Sequence, residues 1–143
     1  MLSVNTYTRD YIDACRLKVE AQLAAYRNLV TIATTGTGAD ETAAALGAFA
    51  PLFFNNMVLV LDHYFCHRSR MLELKDGNPL NEVRMLSTSI MENDSRMCAD
   101  KTIKLDPDKS VLKHKTGDEI KVSEADFMRL SIAFFAEIEA KFG

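Results

Sequence analysis

The chain is poor in cysteine, and its cysteines follow no pairing pattern. Cys15, Cys66 and Cys98 are odd in number and form no Cys-x-x-Cys pair. No disulfide framework is written into the chain, and three reduced thiols imply a cytoplasmic protein. A long aliphatic run is lacking too. The longest uninterrupted one, residues 57–61, falls far short of the ~20 residues that cross a bilayer, so no membrane partner is expected. The N-terminal stretch MLSVNTYTRDYIDAC has no basic segment followed by an apolar one, and no secretory signal is read there. Positive charge is not in excess. Lys and Arg total 17 against 20 Asp and Glu, for a net charge of -3, which argues against non-specific binding to nucleic acid or a lipid surface. Repeats, linkers and low-complexity tracts are missing. Residues 1–143 are therefore expected to form a single helical-bundle domain, long enough to bury roughly 70% of the unfolded surface.

What the chain does have is concentrated in residues 51–96. Asp76-Gly77-Asn78-Pro79 combines a helix stop with an N-cap and a proline at the first helical position. The spacing predicts a central helix from Pro51 to about Lys75 and a close, antiparallel neighbour from Pro79 to about Asn93. The first half of the central helix is apolar almost all round, which marks it as buried on several sides. From Asn55 onward a polar stripe crosses it: Asn55, Asn56, Asp62 and His63, continued by His67, Ser69 and Arg70.

Around this pair the rest is read in order. Ile12, Cys15, Val19, Leu23, Tyr26 and Val30 recur every three or four residues, giving a helix over 8–33 with Thr8 as its cap. Thr34-Thr35-Gly36-Thr37-Gly38 lacks the Gly-Lys-Ser/Thr of a phosphate loop and reads as a flexible connection. Ala39 to Phe49 is expected to be a short helix, or else the start of one long helix kinked at Pro51. Between Lys101 and Val122, apolar and polar residues alternate around Asp106-Pro107-Asp108 and Thr116-Gly117-Asp118, which predicts two or three short antiparallel strands. Ser123 and Asp126 form a capping-box variant, and Phe127, Leu130, Phe134 and Ile138 give the last helix its core stripe. The expected fold is mostly α, a bundle of four or five helices with a small antiparallel β-hairpin before the C-terminal helix.

Two constellations bear chemistry. His63 and His67, four apart on the predicted helix and next to Asp62, can share a divalent metal, with Glu82 of the facing helix as a further ligand. Solvated or capping histidines are the simpler alternative. Asn55, Asn56, Asp62, Arg68 and Arg84 sit on otherwise apolar elements and must find partners. They make either a buried Asp62–Arg84 lock between the helices or a pocket for a small polar ligand. Lysines 101, 104, 109, 113 and 115 make the hairpin basic. No aromatics lie among them to stack on bases, so nucleic acid is not the expected partner. Cys66 and His67 are adjacent, which on a helix points them about 100° apart and does not pair a nucleophile with a base.

The segments Phe53-Phe54-Asn55-Asn56, Lys75-Asp76-Gly77-Asn78-Pro79-Leu80-Asn81-Glu82-Val83-Arg84, Lys101-Thr102-Ile103-Lys104-Leu105-Asp106-Pro107 and Glu124-Ala125-Asp126-Phe127 resemble a set of small, mostly helical bacterial proteins of unknown activity. The resemblance covers about residues 50–142. A looser similarity is to HEPN-type helical proteins, some of which cut RNA with an arginine four to six residues before a histidine on one helix. Here the order is reversed, with His63 before Arg68. The reading is a cytoplasmic interaction protein, self-associating as a dimer or holding a small polar ligand near Asn55, Asp62, His63, His67, Glu82 and Arg84. The alternative is an enzyme, using a metal on Asp62, His63, His67 and Glu82 or cutting RNA in the HEPN manner.

Overall fold

The Thr8 hydroxyl accepts the Tyr11 amide, and the first helix starts there. The computed structural model describes residues 3–143; Met1 and Leu2, part of the stretch read for a signal, lie outside the described residues. Helix α1 runs Arg9–Ala33 and buries Ile12, Cys15, Val19 and Leu23, the first four positions of the stripe its spacing predicts. A short connection follows, with Gly36 and Gly38 at positive φ. Gly38 is the N-cap of α2 in a left-handed conformation that a side chain would strain. Helix α2 is continuous over Ala39–His63. Pro51 lies inside it, so the expected short helix and its successor are one element.

The expected central helix stops earlier than Lys75. Beyond His63 the chain turns, and only one further helical turn forms, α3 at Arg70–Glu73. The turn changes which residues face inward: Arg68 and Ser69 are buried with Phe65, whereas Met71 is 86% exposed. Helix α4, Pro79–Glu92, is capped as expected, the Asn78 side chain accepting from Leu80 and Asn81 N–H. Helix α5, Glu124–Phe142, opens on Ser123 with both arms of the capping box formed. Helix α5 packs against α1, α2 and α4, and α2 packs against α4. The shared core holds Ile12, Phe54, Leu61, Leu86, Phe127, Phe134 and Ile138, all fully buried. Fully burying a side chain of this size contributes about 1.5–3 kcal/mol.

The chain is all-α, with no sheet among the described residues. The predicted β-hairpin is corrected to an irregular strap over residues 93–122. Its only extended pairing is a single antiparallel bridge, Arg96 with Glu119. The reason lies in where its backbone groups go. Asp106-Pro107-Asp108 closes a turn, Ser110 N–H donating to Asp106 O. Val111 and Leu112 N–H donate to Glu82, and Val122 N–H donates to Asn55. Side chains of the helices thus take the bonds that a second strand would have taken.

The packing covers one region only in part, with Tyr26, Ala50 and Phe53 against the core. No residue from 24 to 53 is buried. The end of α1 and the first half of α2 form a two-helix arm with Tyr26 stacked on Phe53 across its seam. Helix α2 is the one described helix long and apolar enough to cross a membrane by length and composition, yet only 28% of its most apolar window is buried.

Candidate functional site

Most of the chain's buried charge gathers where α3, the turn before it and α4 meet. Glu73 is 1% exposed and Arg68 2%. Arg68 Nε donates to Glu73 Oε1 at 2.7 Å and its Nη2 to Asp62 Oδ1 at 3.0 Å. Arg68 also donates to the Phe65 and Leu80 carbonyls. From α4, Arg84 grips the same carboxylate, Nη2 to Oε1 at 2.5 Å and Nε to Oε2 at 3.0 Å, and Asn81 Nδ2 donates to Oε2. Burial pushes the Glu73 carboxyl up, but the bonds from Arg84 and Asn81 and the charges of both arginines outweigh it and hold it below its ordinary value. Two acids and two arginines leave the group neutral, which is how buried charge is tolerated.

The expected Asp62–Arg84 pair does not form. Asp62 is bonded to Arg68 and Arg84 to Glu73. The interhelical lock exists, but Glu73 is its centre. Sequence reasoning flagged Asp62, Arg68 and Arg84 and missed Glu73 and Asn81. The backbone beside the lock is strained: Leu74 sits at φ 67 and ψ -177, a region almost reserved for glycine that costs roughly 1–3 kcal/mol.

Glu82 and Asn55, two of the candidate ligand-binding residues, are clasps for the strap. Glu82 Oε1 accepts Val111 N–H at 2.8 Å and Oε2 accepts Leu112 N–H at 2.9 Å. Its carboxyl is raised by burial, against the opposing pull of these two bonds and of the His114 and Arg129 charges. Asn55 Nδ2 donates to Ile120 O at 2.8 Å, and its Oδ1 accepts Val122 N–H at 3.0 Å.

The histidine pair separates. His63 is the last residue of α2, and His67 lies in the turn beyond it; both are exposed. The His67 carbonyl accepts Val4 N–H, pinning the N-terminal segment. Among the described residues no three His, Cys, Asp or Glu side chains stand close enough to hold a metal. The proposed set Asp62, His63, His67 and Glu82 is therefore not brought together: Asp62 is engaged by Arg68 and Glu82 by the strap.

Asp62 and His63 do line a groove between α2 and α4, about 550 Å³ in volume, with Leu59, Val60, Ser87 and Glu92. Ser87 is 8% exposed, and its hydroxyl has no hydrogen-bond partner among the described residues. A buried hydroxyl without a partner costs free energy, so a bound polar group there gains it. Nothing in the one-dimensional pattern marks Ser87, which sits among the small polar residues of α4. No protein-family model matches this chain, and neither a curated protein nor a solved structure matches it.

Proposed function

We propose that this chain is a helical interaction protein that pairs with a second copy of itself through the arm formed by α1 and α2. The observation that carries the reading is the unburied stretch from 24 to 53. A helical hairpin of this composition gains its stability from covering an apolar face, and here much of that face stays open. Residues 43–61 contain no charged side chain. Leu29 and Ile32 on α1 and Phe49 and Leu52 on α2 are exposed, Leu52 by 67%. Ala43, Ala44, Ala45, Gly47 and Ala48 let a partner backbone approach closely. Two hairpins docked on a two-fold axis complete a four-helix bundle, the commonest symmetric solution for such a surface.

A lipid surface fits less well than a second copy. The connecting tip carries Asp40 and Glu41 and no lysine or arginine between 28 and 67, so it lacks the basic belt that anionic lipids attract. The protein works in a reducing compartment, the bacterial cytoplasm, where Cys15, Cys66 and Cys98 stay free. Size-exclusion chromatography with light scattering tests the pairing. A dimer is expected, and Leu52→Glu with Ile32→Glu should give a folded monomer. A wild-type monomer at the highest soluble concentration, or a dimer indifferent to both substitutions, overturns it.

The partnerless Ser87 hydroxyl supports a second reading, a small polar ligand held in the α2–α4 groove beside Asp62 and His63. The volume lies in the range of small-molecule sites. Native mass spectrometry should then find added mass on the purified chain that is lost in Ser87→Ala.

A further inference from the structure

An independent feature lies on the far side of α4. Met85 of α4, Met97 and Cys98 of the segment after it, and His114 of the strap line one cavity of about 90 Å³. That volume equals roughly three waters at ~30 Å³ each, room for an ion and too little for an organic ligand. Its donors are soft. Two methionines, one cysteine and one histidine are among its lining residues, with Asp100 and Thr116 as the other polar ones. Met97 is 2% exposed and Met85 7%.

Two details tie these groups together. The Ser89 hydroxyl stands 3.0 Å from Cys98 Sγ and 3.9 Å from Met97 Sδ, so one oxygen holds both sulfurs close to it. Ser89 also donates to the Met85 carbonyl at 2.7 Å and accepts Cys98 N–H at 3.0 Å. Cys98 is thus fixed to one side chain at two points, its thiol and its backbone amide. The second detail is His114. Its Nδ1 is buried and has no hydrogen-bond partner among the described residues, while the neighbouring backbone at Val111 and Leu112 is held by Glu82. A ring nitrogen buried without a partner is a cost that an occupant of the cavity would remove.

We propose that this cavity binds a soft monovalent cation, copper(I), through Cys98 Sγ, the thioethers of Met97 and Met85, and His114 Nδ1. Thiolate and thioether ligands select copper(I) over the harder divalent ions. Zinc is disfavoured, since no three His, Cys, Asp or Glu converge among the described residues. Binding is an exchange without redox change. The Cys98 S–H bond breaks, the S–Cu bond forms, and the proton leaves to solvent. Ser89 keeps its bond from the Cys98 amide, and its hydroxyl hydrogen turns from the Met85 carbonyl to the thiolate; orienting partners of this kind govern metal affinity.

The test is an anaerobic titration of the full chain with copper(I) against a chromogenic copper(I) chelator. One equivalent per chain should be withheld from the chelator. Cys98→Ser should weaken retention by roughly 100-fold or more, and His114→Gln or Met97→Leu by roughly tenfold. Met97→Leu conserves volume and keeps the core filled, so it reports on ligation even where Cys98→Ser disturbs folding. Cys66→Ser, which removes the exposed thiol, should change nothing. The proposal is overturned if the wild type holds copper(I) no better than Cys98→Ser, if retention is lost with Cys66 instead, or if Met97→Leu and His114→Gln both leave retention unchanged.

Discussion

Arg84 and Glu73, eleven residues apart, form a two-point contact: Nη2 lies 2.5 Å from Oε1 and Nε 3.0 Å from Oε2. The contact ties α4 to the single turn of α3 across the Gly77-Asn78 bend. Removing one partner strands the other charge in a buried site. Glu73→Ala should therefore cost about 3–5 kcal/mol in urea unfolding, because two arginines lose their acceptor at once. A cost under ~1 kcal/mol would mean that the carboxylate is not a structural centre.

The two buried glutamates respond to acid in opposite senses. Glu73 is held below the ordinary 4.5, so the unfolded chain binds more protons near that pH. Its stabilisation is complete above 4.5 and is lost as pH falls through the folded value. Glu82 is raised above 4.5, so the native chain holds its proton to higher pH. Its contribution is complete below 4.5 and is lost as pH rises through the folded value. Unfolding free energy measured from pH 3 to 7 should rise more steeply in Glu82→Gln than in the wild type, and flatten in Glu73→Gln.

Asn55→Ala should loosen the strap while leaving the helices in place. It leaves Ile120 O and Val122 N–H without their partner, a cost of roughly 1–3 kcal/mol for each group that stays buried. In hydrogen exchange the Val122 amide should lose its protection, with α1 and α5 slowed as before. Uniform loss of protection along the chain would show that the strap and the bundle unfold as one unit.

His63→Ala with His67→Ala should shift stability by no more than about 0.5 kcal/mol, since both side chains are exposed and neither is in an ion pair among the described residues. Thermal unfolding with and without added zinc or nickel checks this. A metal-dependent rise in midpoint that disappears in the double variant would restore the paired-histidine metal site.

Leu74→Gly should be neutral or stabilising. The side chain is about half exposed, so little packing is lost. Relief of a left-handed, extended backbone offsets the entropy that glycine adds to the unfolded chain, ~0.5–1 kcal/mol. A loss above ~1 kcal/mol in chemical denaturation would show that the leucine side chain has contacts worth more than the strain.

The features that could be read in advance are those set by neighbours along the chain. The α1 stripe at Ile12, Cys15, Val19 and Leu23, the Asn78-Pro79 start of α4 and the Ser123–Asp126 box are local, and the structure contains all three. The end of α2 was not legible. Tyr64, Phe65, Met71 and Leu72 continue a helical pattern, while the chain turns at His63 to send Arg68 inward toward Glu73. The strap misled for a related reason. Ile103 and Leu105 alternate with polar residues as a strand does, but the backbone donors at 111, 112 and 122 are taken by side chains far away in the chain. The site divides the same way. Asp62, Arg68 and Arg84 are conspicuous as polar residues on apolar helices. Glu73 looks like one more solvated acid before a turn until the fold brings two guanidiniums to it.

The bare arm from 24 to 53 separates two kinds of sequence change. Folding of the body depends on Ile12, Phe54, Leu86 and Phe134, none of which lies in that stretch. Insertions or deletions of whole turns, made in both limbs together beyond the Tyr26, Ala50 and Phe53 contacts with the core, would alter how far the arm extends and leave the buried core in place. Reach and foldability are thus written in different residues, and selection can tune one without endangering the other.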